Sequence, residues 1–335
     1  MQNINLSAVE YDFPKRTTIP TWYNNVGFNI LINHLTTDKK LTKTTLANGL
    51  ANVNTNGSNT LILKSRDTRR LTVFKIIKLI GAGAIGTVHD IEIQSWLQNG
   101  KAAILPTAKY VIKIITSDGP AERDIFIEGI MHVLASHELS ANEIPKFHNI
   151  MYNKYNQNTY IVMQKLQGGE LLSRILSQSK NPTAASSIIK TTIEGIAKIL
   201  TKLHKSLQFI HSDLHPGNIY VRPDGTVALL DFGLASGVIP NSSHRIGKQN
   251  AFITHFHPGI DIAFLAFTIC YEYSSKLTAD CKNYLRHLCT TVDDNCLLDR
   301  REFRKIDTWE PVLKKLNNLN PLNSTPSAIR HAVNQ

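Results

Sequence analysis

Cysteine is scarce in this chain, with four among 335 residues, all in the last quarter: Cys270, Cys281, Cys289 and Cys296. None of their spacings gives a Cys-x-x-Cys unit, which is the usual signature of a structural zinc site. A zinc site that recruits His287 is one interpretation. The missing spacing favours the other, which is reduced and partly buried thiols.

Long apolar runs are also missing. The run Ile260–Cys270 is well short of the roughly 20 residues that a membrane-spanning helix needs, so we predict a buried helix there. Met1–Phe13 lacks the apolar centre of a secretory signal. We therefore expect an intracellular, cytoplasmic protein without a transmembrane segment.

Acidic side chains are few at the start of the chain. The net charge is +11, from 37 basic and 26 acidic residues, and residues 1–78 contribute most of the positive excess. Acidic protein partners, nucleic acid or an anionic surface would suit this segment, and so would a solvated basic surface. Residues 1–70 are interpreted as a basic extension of unknown role, in which Thr42–Thr60 is predicted to be a loop or linker.

The Walker pattern that ends in Gly-Lys-Ser/Thr is absent, but Gly81, Gly83 and Gly86 form a Gly-x-Gly-x-x-Gly segment. A strand-like run precedes it and a second run, 88–93, follows it. The order strand, glycine loop, strand predicts a β-hairpin that covers phosphates. It counts against a dinucleotide-binding fold, in which a helix follows the glycine loop. Gln94–Ala108 is predicted to be an irregular insertion.

The segment His211–Gly233 carries the chemistry. Asp213, Asn218 and Asp231 lie on either side of a predicted hairpin whose turn is Pro223-Asp224-Gly225. Folding the hairpin brings these three side chains towards one edge. A carboxylate that accepts a hydroxyl proton, with oxygen ligands for a hard cation, suits magnesium-assisted phosphoryl transfer. The alternative is that they only cap turns and end a strand.

This segment resembles the catalytic and metal-binding loops of the protein kinase superfamily, including the five-residue step from Asp213 to Asn218 and the triplet Asp231-Phe232-Gly233. The resemblance implies a two-lobed α+β fold, with a small β-rich N-lobe (71–163) and a mainly helical, shortened C-lobe (164–335). It implies that Asp213 is the catalytic base, and that Asn218 and Asp231 bind Mg²⁺, with Mn²⁺ as the alternative ion. The cosubstrate would be ATP.

Lys113 is a cation within the apolar strand-like run 109–115, which is costly unless the charge is paired. By the same resemblance this lysine holds the ATP phosphates and is itself held by a helix glutamate, for which we predict Glu128. Glu122 and Asp124 are the alternatives on the same helix. A lysine that merely extends its charge into solvent is the structural alternative.

The resemblance also implies a nucleotide site. Met163 would be the gatekeeper, Gln164 to Leu166 would offer backbone groups to adenine, and Glu170 would reach the ribose. The residues implied to enclose adenine are Val88, Val111 and Tyr220. Periodic apolar residues predict a helix that ends near Leu207, and Asp261 resembles the aspartate that supports the catalytic loop.

Two positions depart from the family pattern. Ser212 replaces the arginine that reads a phosphorylated activation segment, and His215 replaces the lysine that helps neutralise the γ-phosphate. No Ala-Pro-Glu-like anchor occurs in Leu234–Gly259. The chain resembles divergent kinases of large DNA viruses or intracellular bacteria, which would place it in a host cell or virion.

Phosphoryl transfer to protein Ser/Thr hydroxyls is the function that this resemblance implies. A small-molecule phosphotransferase of the aminoglycoside or choline kinase type is the first alternative, because those enzymes share the form His-x-Asp-Leu-His-Pro-Gly-Asn. A pseudokinase scaffold is the second. The joint presence of Lys113, Asp213, Asn218 and Asp231 counts against a scaffold, which has no chemical need for the whole set.

Overall fold

The chain folds into two compact units. The computed structural model describes residues 51–55, 59–64, 70–83, 86–98, 101–102, 109–116, 122–153, 156, 158–238, 245–247 and 259–290. The first unit comprises Met1–Val133, Pro145–Leu166 and Asn241–Ile246, and the second comprises Leu134–Ile144, Gln167–Pro240 and Gly247–Gln335.

The first unit is built on a sheet of eight strands. They are β1 (Ala51–Thr55), β2 (Thr60–Lys64), β3 (Arg70–Gly83), β4 (Gly86–Gln98), β5 (Lys101–Ala102), β6 (Tyr110–Ile115), β7 (Phe147–Tyr152) and β8 (Thr159–Gln164). Their order is β3-β2-β1-β7-β8-β6-β4-β5, and β3 also pairs with β4. Seven strands therefore form a closed ring, in which β1 is antiparallel to β2 and parallel to β7.

The sheet encloses an apolar core drawn from most of its strands. Leu61 of β2, Phe74 of β3 and Ile112 of β6 are at most 2% exposed and belong to one cluster. Alternate residues of these strands face this core, as the two-residue repeat of a strand requires. The segment that precedes β3 thus contributes a side chain to the same core as the later strands.

The glycine-rich hairpin has the predicted order of strand, loop and strand. The β3–β4 ladder extends from the pair Arg70–Gln98 to the pair Gly83–Gly86. A side chain at Gly86 would place its Cβ 2.4 Å from the Ile114 carbonyl oxygen, so glycine is needed where β4 passes β6. Ala84 and Ile85, at the tip, lie outside the described residues.

Two predicted irregular segments are partly strands. The prediction of a loop at Thr42–Thr60 is wrong for β1, and that of an irregular insertion at Gln94–Ala108 is wrong for the end of β4 and for β5. The Asn-rich composition of the first segment and the scattered polar residues of the second disfavour strands in isolation. Hydrogen bonds to neighbouring strands on the sheet override that preference.

The second unit is mainly helical, and helix α1 (Glu122–Glu138) ends in it. Four more helices follow: α2 (Leu172–Gln178), α3 (Pro182–Leu207), α4 (Ile260–Tyr273) and α5 (Ala279–Thr290). Short 3₁₀ turns occur at Pro216–Asn218 and Ser274–Lys276. The remaining strands are β9 (Glu170–Leu171), β10 (Ile219–Val221), β11 (Val227–Leu229), β12 (Ser236–Val238) and β13 (Arg245–Gly247).

Helix α3 confirms the predicted apolar face and end. Asn181 caps its first turn, since its side chain accepts hydrogen bonds from the N–H groups of Thr183 and Ala184 at 2.9 and 3.3 Å. The helix stops at Gln208, whose φ is 44°. The periodic residues Ile189, Ile193, Ile196, Leu200 and Leu203 are all fully buried.

Helix α4 is buried along most of its length, as predicted for Ile260–Cys270. Across the described part of the chain, no helix has both the length and the apolar character needed to cross a membrane. Cys270 is half-buried and Cys281 is buried, while Cys296 and the side chains of Cys289 and His287 lie outside the described residues.

Candidate active-site elements

A buried ion pair lies in the first unit. Lys113 on β6 donates to both carboxylate oxygens of Glu128 on α1, at 2.8 and 3.0 Å. The two residues are 5% and 3% exposed. Because burying either charge alone is costly, this contact gives Lys113 the charged partner that its place in an apolar strand requires. Glu128 is therefore the partner, as predicted.

The predicted adenine residues of this unit lie on adjoining strands. Val88 on β4 pairs with Lys113, and Val111 on β6 pairs with the half-buried Met163 on β8. These registers place the two valines and Met163 beside the Lys113 position on one sheet. Gly81 on β3 has open space where a Cβ would be.

The backbone after Met163 is already partly used. The N–H of Gln164 donates to the Lys146 carbonyl at 2.8 Å, and that of Lys165 donates to the Lys109 carbonyl at 2.9 Å. These two groups cannot also donate to adenine. The prediction that Gln164 to Leu166 offer backbone groups to adenine therefore does not hold for the N–H groups of Gln164 and Lys165.

In the second unit, the predicted hairpin of the segment His211–Gly233 is present. Strands β10 and β11 pair with Tyr220 opposite Ala228, and Gly225 supplies the positive φ of the turn at +80°. The carboxamide Nδ2 of Asn218 donates to the Asp213 backbone oxygen at 2.9 Å and to Asp213 Oδ2 at 3.3 Å. The hairpin therefore holds the predicted base and a predicted metal ligand together.

Asp213 is in an unusual electrostatic environment. Burial raises the pKa of its carboxyl above the ordinary value, and the nearby Asp231 carboxylate raises it further. His211, His215 and the Asn218 hydrogen bond act in the opposite direction and lower that pKa. A raised pKa makes this carboxylate a better proton acceptor than an ordinary aspartate.

Asp261, the first acidic residue of α4, fixes the start of this segment. Its carboxylate accepts the backbone N–H of His211 at 2.8 Å and that of Ser212 at 3.0 Å. Burial raises the pKa of Asp261, and the two N–H groups oppose that rise. The hydrogen bonds from these N–H groups to Asp261 also stabilise Ser212 in a left-handed conformation, with φ at 63°. The predicted support by Asp261 is confirmed.

Asp231 and Asn218 offer oxygen ligands that suit magnesium. The Asp231 backbone is left-handed, with φ at 57°, and the Asn218 contacts to Asp213 are made by its Nδ2 and not by its oxygen. Among the described residues, no cluster of three or more His, Cys, Asp or Glu could hold a metal ion. A site of one carboxylate and one amide fits Mg²⁺, which takes its other ligands from water and substrate phosphates.

Tyr220 and Glu170 are held by local contacts. The Tyr220 hydroxyl accepts the backbone N–H of Gly169 at 2.9 Å, and a Cβ at Gly169 would come within 2.8 Å of the Tyr220 ring. The Glu170 carboxylate pairs with Arg174 at 3.1 Å, in an exposed position. The roles predicted for both residues in nucleotide binding stay predictions.

Two supporting contacts had no signal in the sequence. His211 is fully buried; its Nε2 donates to the Leu230 carbonyl at 2.9 Å, and its ring lies 5.5 Å from that of Phe232. His211 thus connects the start of the segment His211–Gly233 to its end. In the first unit, an Asp90–Lys165 ion pair connects β4 to the residues after β8. Only the three-dimensional pairing reveals these contacts.

The family model for the protein kinase domain matches residues 74–257, more than half of the chain. The chain belongs to the protein kinase family. ATP and Mg²⁺ are the usual cosubstrate and ion of this family. The match includes Gly81, Gly83 and Gly86, the Lys113–Glu128 pair and the whole of His211–Gly233.

Curated kinases align with parts of this kinase-family chain. The serine/threonine-protein kinase tricornered of Drosophila melanogaster is 28% identical over 207 residues, which are 62% of this chain and 41% of that protein. Serine/threonine-protein kinase sax-1 of Caenorhabditis elegans is 31% identical over 171 residues, 50% of this chain and 33% of that protein. The chain thus matches less than half the length of these relatives.

Among solved structures, the PknI kinase domain of Mycobacterium tuberculosis superposes with a TM-score of 0.47 and 15% identity. The superposition covers 78% of this chain and 94% of that domain. At that score it adds nothing to the family match.

Proposed function

We propose that this kinase-family chain transfers the γ-phosphoryl group of ATP to serine or threonine hydroxyls of proteins. The observation that carries the proposal is the Asp213–Asn218 pair, held on a loop that Asp261 anchors and next to the Asp231 carboxylate. The residues proposed as the base and as the two oxygen ligands belong to one compact unit. The named serine/threonine kinases among the relatives support the same acceptor.

Asp213 acts as the base in this proposal. Its carboxylate orients the acceptor hydroxyl and takes its proton as the oxygen attacks the γ-phosphorus. Asp261 and His211 keep the backbone around Asp213 in place, so they are positioning residues.

Asn218 and Asp231 would hold Mg²⁺ or Mn²⁺ through their side-chain oxygens. The ion, when bound, neutralises charge on the phosphates. The hydrogen bonding of Asn218 is compatible with this assignment, because its contacts to Asp213 use the amide nitrogen and not the oxygen.

Lys113 binds the α- and β-phosphates of ATP in this proposal, and Glu128 holds the ammonium group in position. The backbone around Gly81, Gly83 and Gly86 covers the phosphates. The adenine contacts predicted for Val88, Val111, Met163 and Tyr220, the backbone contacts of Gln164 and Leu166, and the ribose contact of Glu170 belong to the same proposal.

Acidic protein substrates are proposed on the basis of the net charge of +11. Most of the basic segment 1–70 lies outside the described residues. A nucleic-acid contact through that segment and a location inside the cell stay predictions.

The test is a transfer assay with γ-labelled ATP and Mg²⁺, which offers protein substrates and small alcohols side by side. We expect label on protein, and we expect Asp213→Asn to abolish transfer while nucleotide binding persists. Asp231→Asn should abolish transfer and also weaken the Mg²⁺ dependence of nucleotide binding. Label on small alcohols alone would support the small-molecule phosphotransferase, and nucleotide binding without any transfer would support the scaffold.

A further inference from the structure

His215 has two different contacts, one through each ring nitrogen. Its Nδ1 accepts the backbone N–H of Gly217 at 3.0 Å and thereby caps the 3₁₀ turn Pro216–Asn218. Its Nε2 lies 3.9 Å from Asp213 Oδ2. The ring is therefore fixed between the turn that carries Asn218 and the carboxylate of the proposed base.

The cap determines where the ring proton lies. A nitrogen that accepts an N–H cannot carry a hydrogen of its own, so the hydrogen of the neutral imidazole is on Nε2. Nε2 is consequently a donor, and it faces Asp213. This position of the His215 ring requires glycine at 217, because a Cβ there would come within 2.7 Å of His215 Cε1.

The gap between Nε2 and Oδ2 is too long for a direct hydrogen bond. It is suitable for one oxygen atom that hydrogen-bonds to both, at about 2.8 Å from each. The side chains of His215 and Asp213 are 38% and 36% exposed, so an oxygen from a ligand can reach this position.

We propose that His215 is a catalytic residue whose Nε2–H holds the acceptor hydroxyl oxygen while Asp213 accepts the hydroxyl proton. This inference rests on the proposed function. In the step, the hydroxyl oxygen forms a bond to the γ-phosphorus and the bond from that phosphorus to the bridging oxygen of ADP breaks. ADP leaves with the electron pair, the proton goes to Asp213, and His215 keeps its proton throughout.

This role differs from that of the lysine expected at the same place. A lysine supplies a mobile positive charge for phosphate, whereas the capped imidazole supplies one N–H donor in a fixed direction. The replacement of the usual lysine by His215 therefore changes the group that this position binds, from the γ-phosphate to the acceptor hydroxyl.

Two substitutions separate the two contacts. In His215→Asn the side-chain oxygen can still cap the Gly217 N–H, but no donor reaches the acceptor hydroxyl. In His215→Gln the amide nitrogen reaches about as far as Nε2, but the cap is lost. We expect His215→Asn to lower kcat for protein substrate by about ten- to a hundredfold with the KM for ATP unchanged, and His215→Gln to retain more of kcat than His215→Asn.

A purely structural role gives the opposite order, because only Asn preserves the cap. His215→Asn with wild-type kcat would overturn the proposal, as would His215→Gln with a lower kcat than His215→Asn. Melting temperature and ATP affinity, measured on both variants, show whether either change has instead disturbed the fold. If the wild-type protein transfers no phosphate to protein, the proposed function fails, which is a separate outcome.

A double-mutant cycle with Gly217→Ala provides an independent check. The added methyl group should displace the His215 ring and lower kcat about tenfold or more in the wild-type background. In the His215→Ala background no ring remains to be displaced, so we expect the same change to have little further effect. An equal loss in both backgrounds would show that Gly217 does not act through His215 and would contradict the proposal.

Discussion

Lys113 and Glu128 form the residue-level feature that the sequence indicates most directly. A lysine in an apolar strand requires a partner, and the structure supplies a glutamate on α1. Since both side chains are almost fully buried, removing one charge takes a close, buried counter-charge away from the other.

This pair allows stability to be separated from activity. We expect Glu128→Gln to reduce the free energy of unfolding by about 3 kcal/mol and to abolish phosphoryl transfer. The double variant Lys113→Met with Glu128→Gln should recover much of the stability, because both charges of the pair are then removed together, and should stay inactive. Denaturant unfolding and the transfer assay together test this, and a double variant as unstable as Glu128→Gln would contradict it.

Other residue-level features depend on backbone geometry that the sequence does not specify. The motif identifies Asp213 and Asn218, yet it does not reveal that Asn218 Nδ2 binds the Asp213 carboxylate. The resemblance to protein kinases implies that Gln164 to Leu166 offer backbone groups to adenine. Sheet hydrogen bonds to Lys146 and Lys109 use two of those N–H groups, and such pairing is visible only in the fold.

At the scale of elements, helices and hairpins with strong local patterns were predictable. The apolar repeat of α3, the Pro-Asp-Gly turn between β10 and β11, and the glycine-rich hairpin all depend on residues close in the sequence. Strand β1 was missed because its stability comes from β2 and β7 and not from its own composition. Its pairing with β7 joins residues about a hundred positions apart.

Strand β2 contributes to the core although it precedes the residues that match the family model. Leu61→Ala removes a side chain that is 2% exposed, so we expect it to cost about 2 to 5 kcal/mol of stability. Ile62→Ala, at the neighbouring half-buried position, is the matched control and should cost less than half as much. Equal small losses would show that β2 is not part of the folded core.

Helix α3 contains a group that makes stability depend on pH. Burial lowers the pKa of His204 to about 4, from the ordinary 6.5. Below pH 6.5 the unfolded chain therefore takes up a proton that the folded chain does not, and stability falls as the pH falls towards 4.

From pH 8 to pH 5 this single histidine should cost about 2 kcal/mol of unfolding free energy. The measurement is a series of denaturant unfolding curves over that range for the wild type and for His204→Gln. The variant lacks the titrating ring, so its decline should be smaller by that amount. Parallel declines for the two proteins would contradict the assignment.

At the scale of the whole molecule, the two units carry different parts of the proposed chemistry. The first holds the glycine-rich hairpin and the Lys113–Glu128 pair, and the second holds Asp213, Asn218 and Asp231. The family match spans both units. Family membership thus follows from an ordered series of features, whereas any one of them alone has an ordinary structural explanation.

The central claim is that Asp213 acts in phosphoryl transfer to serine or threonine. The most direct measurement is phosphoamino-acid analysis of protein substrates labelled with γ-labelled ATP and Mg²⁺, with the wild type and with Asp213→Asn. We expect phosphoserine or phosphothreonine from the wild type and a loss of at least about a hundredfold with Asp213→Asn. Label on small alcohols only, or equal labelling of protein by Asp213→Asn, would contradict the claim.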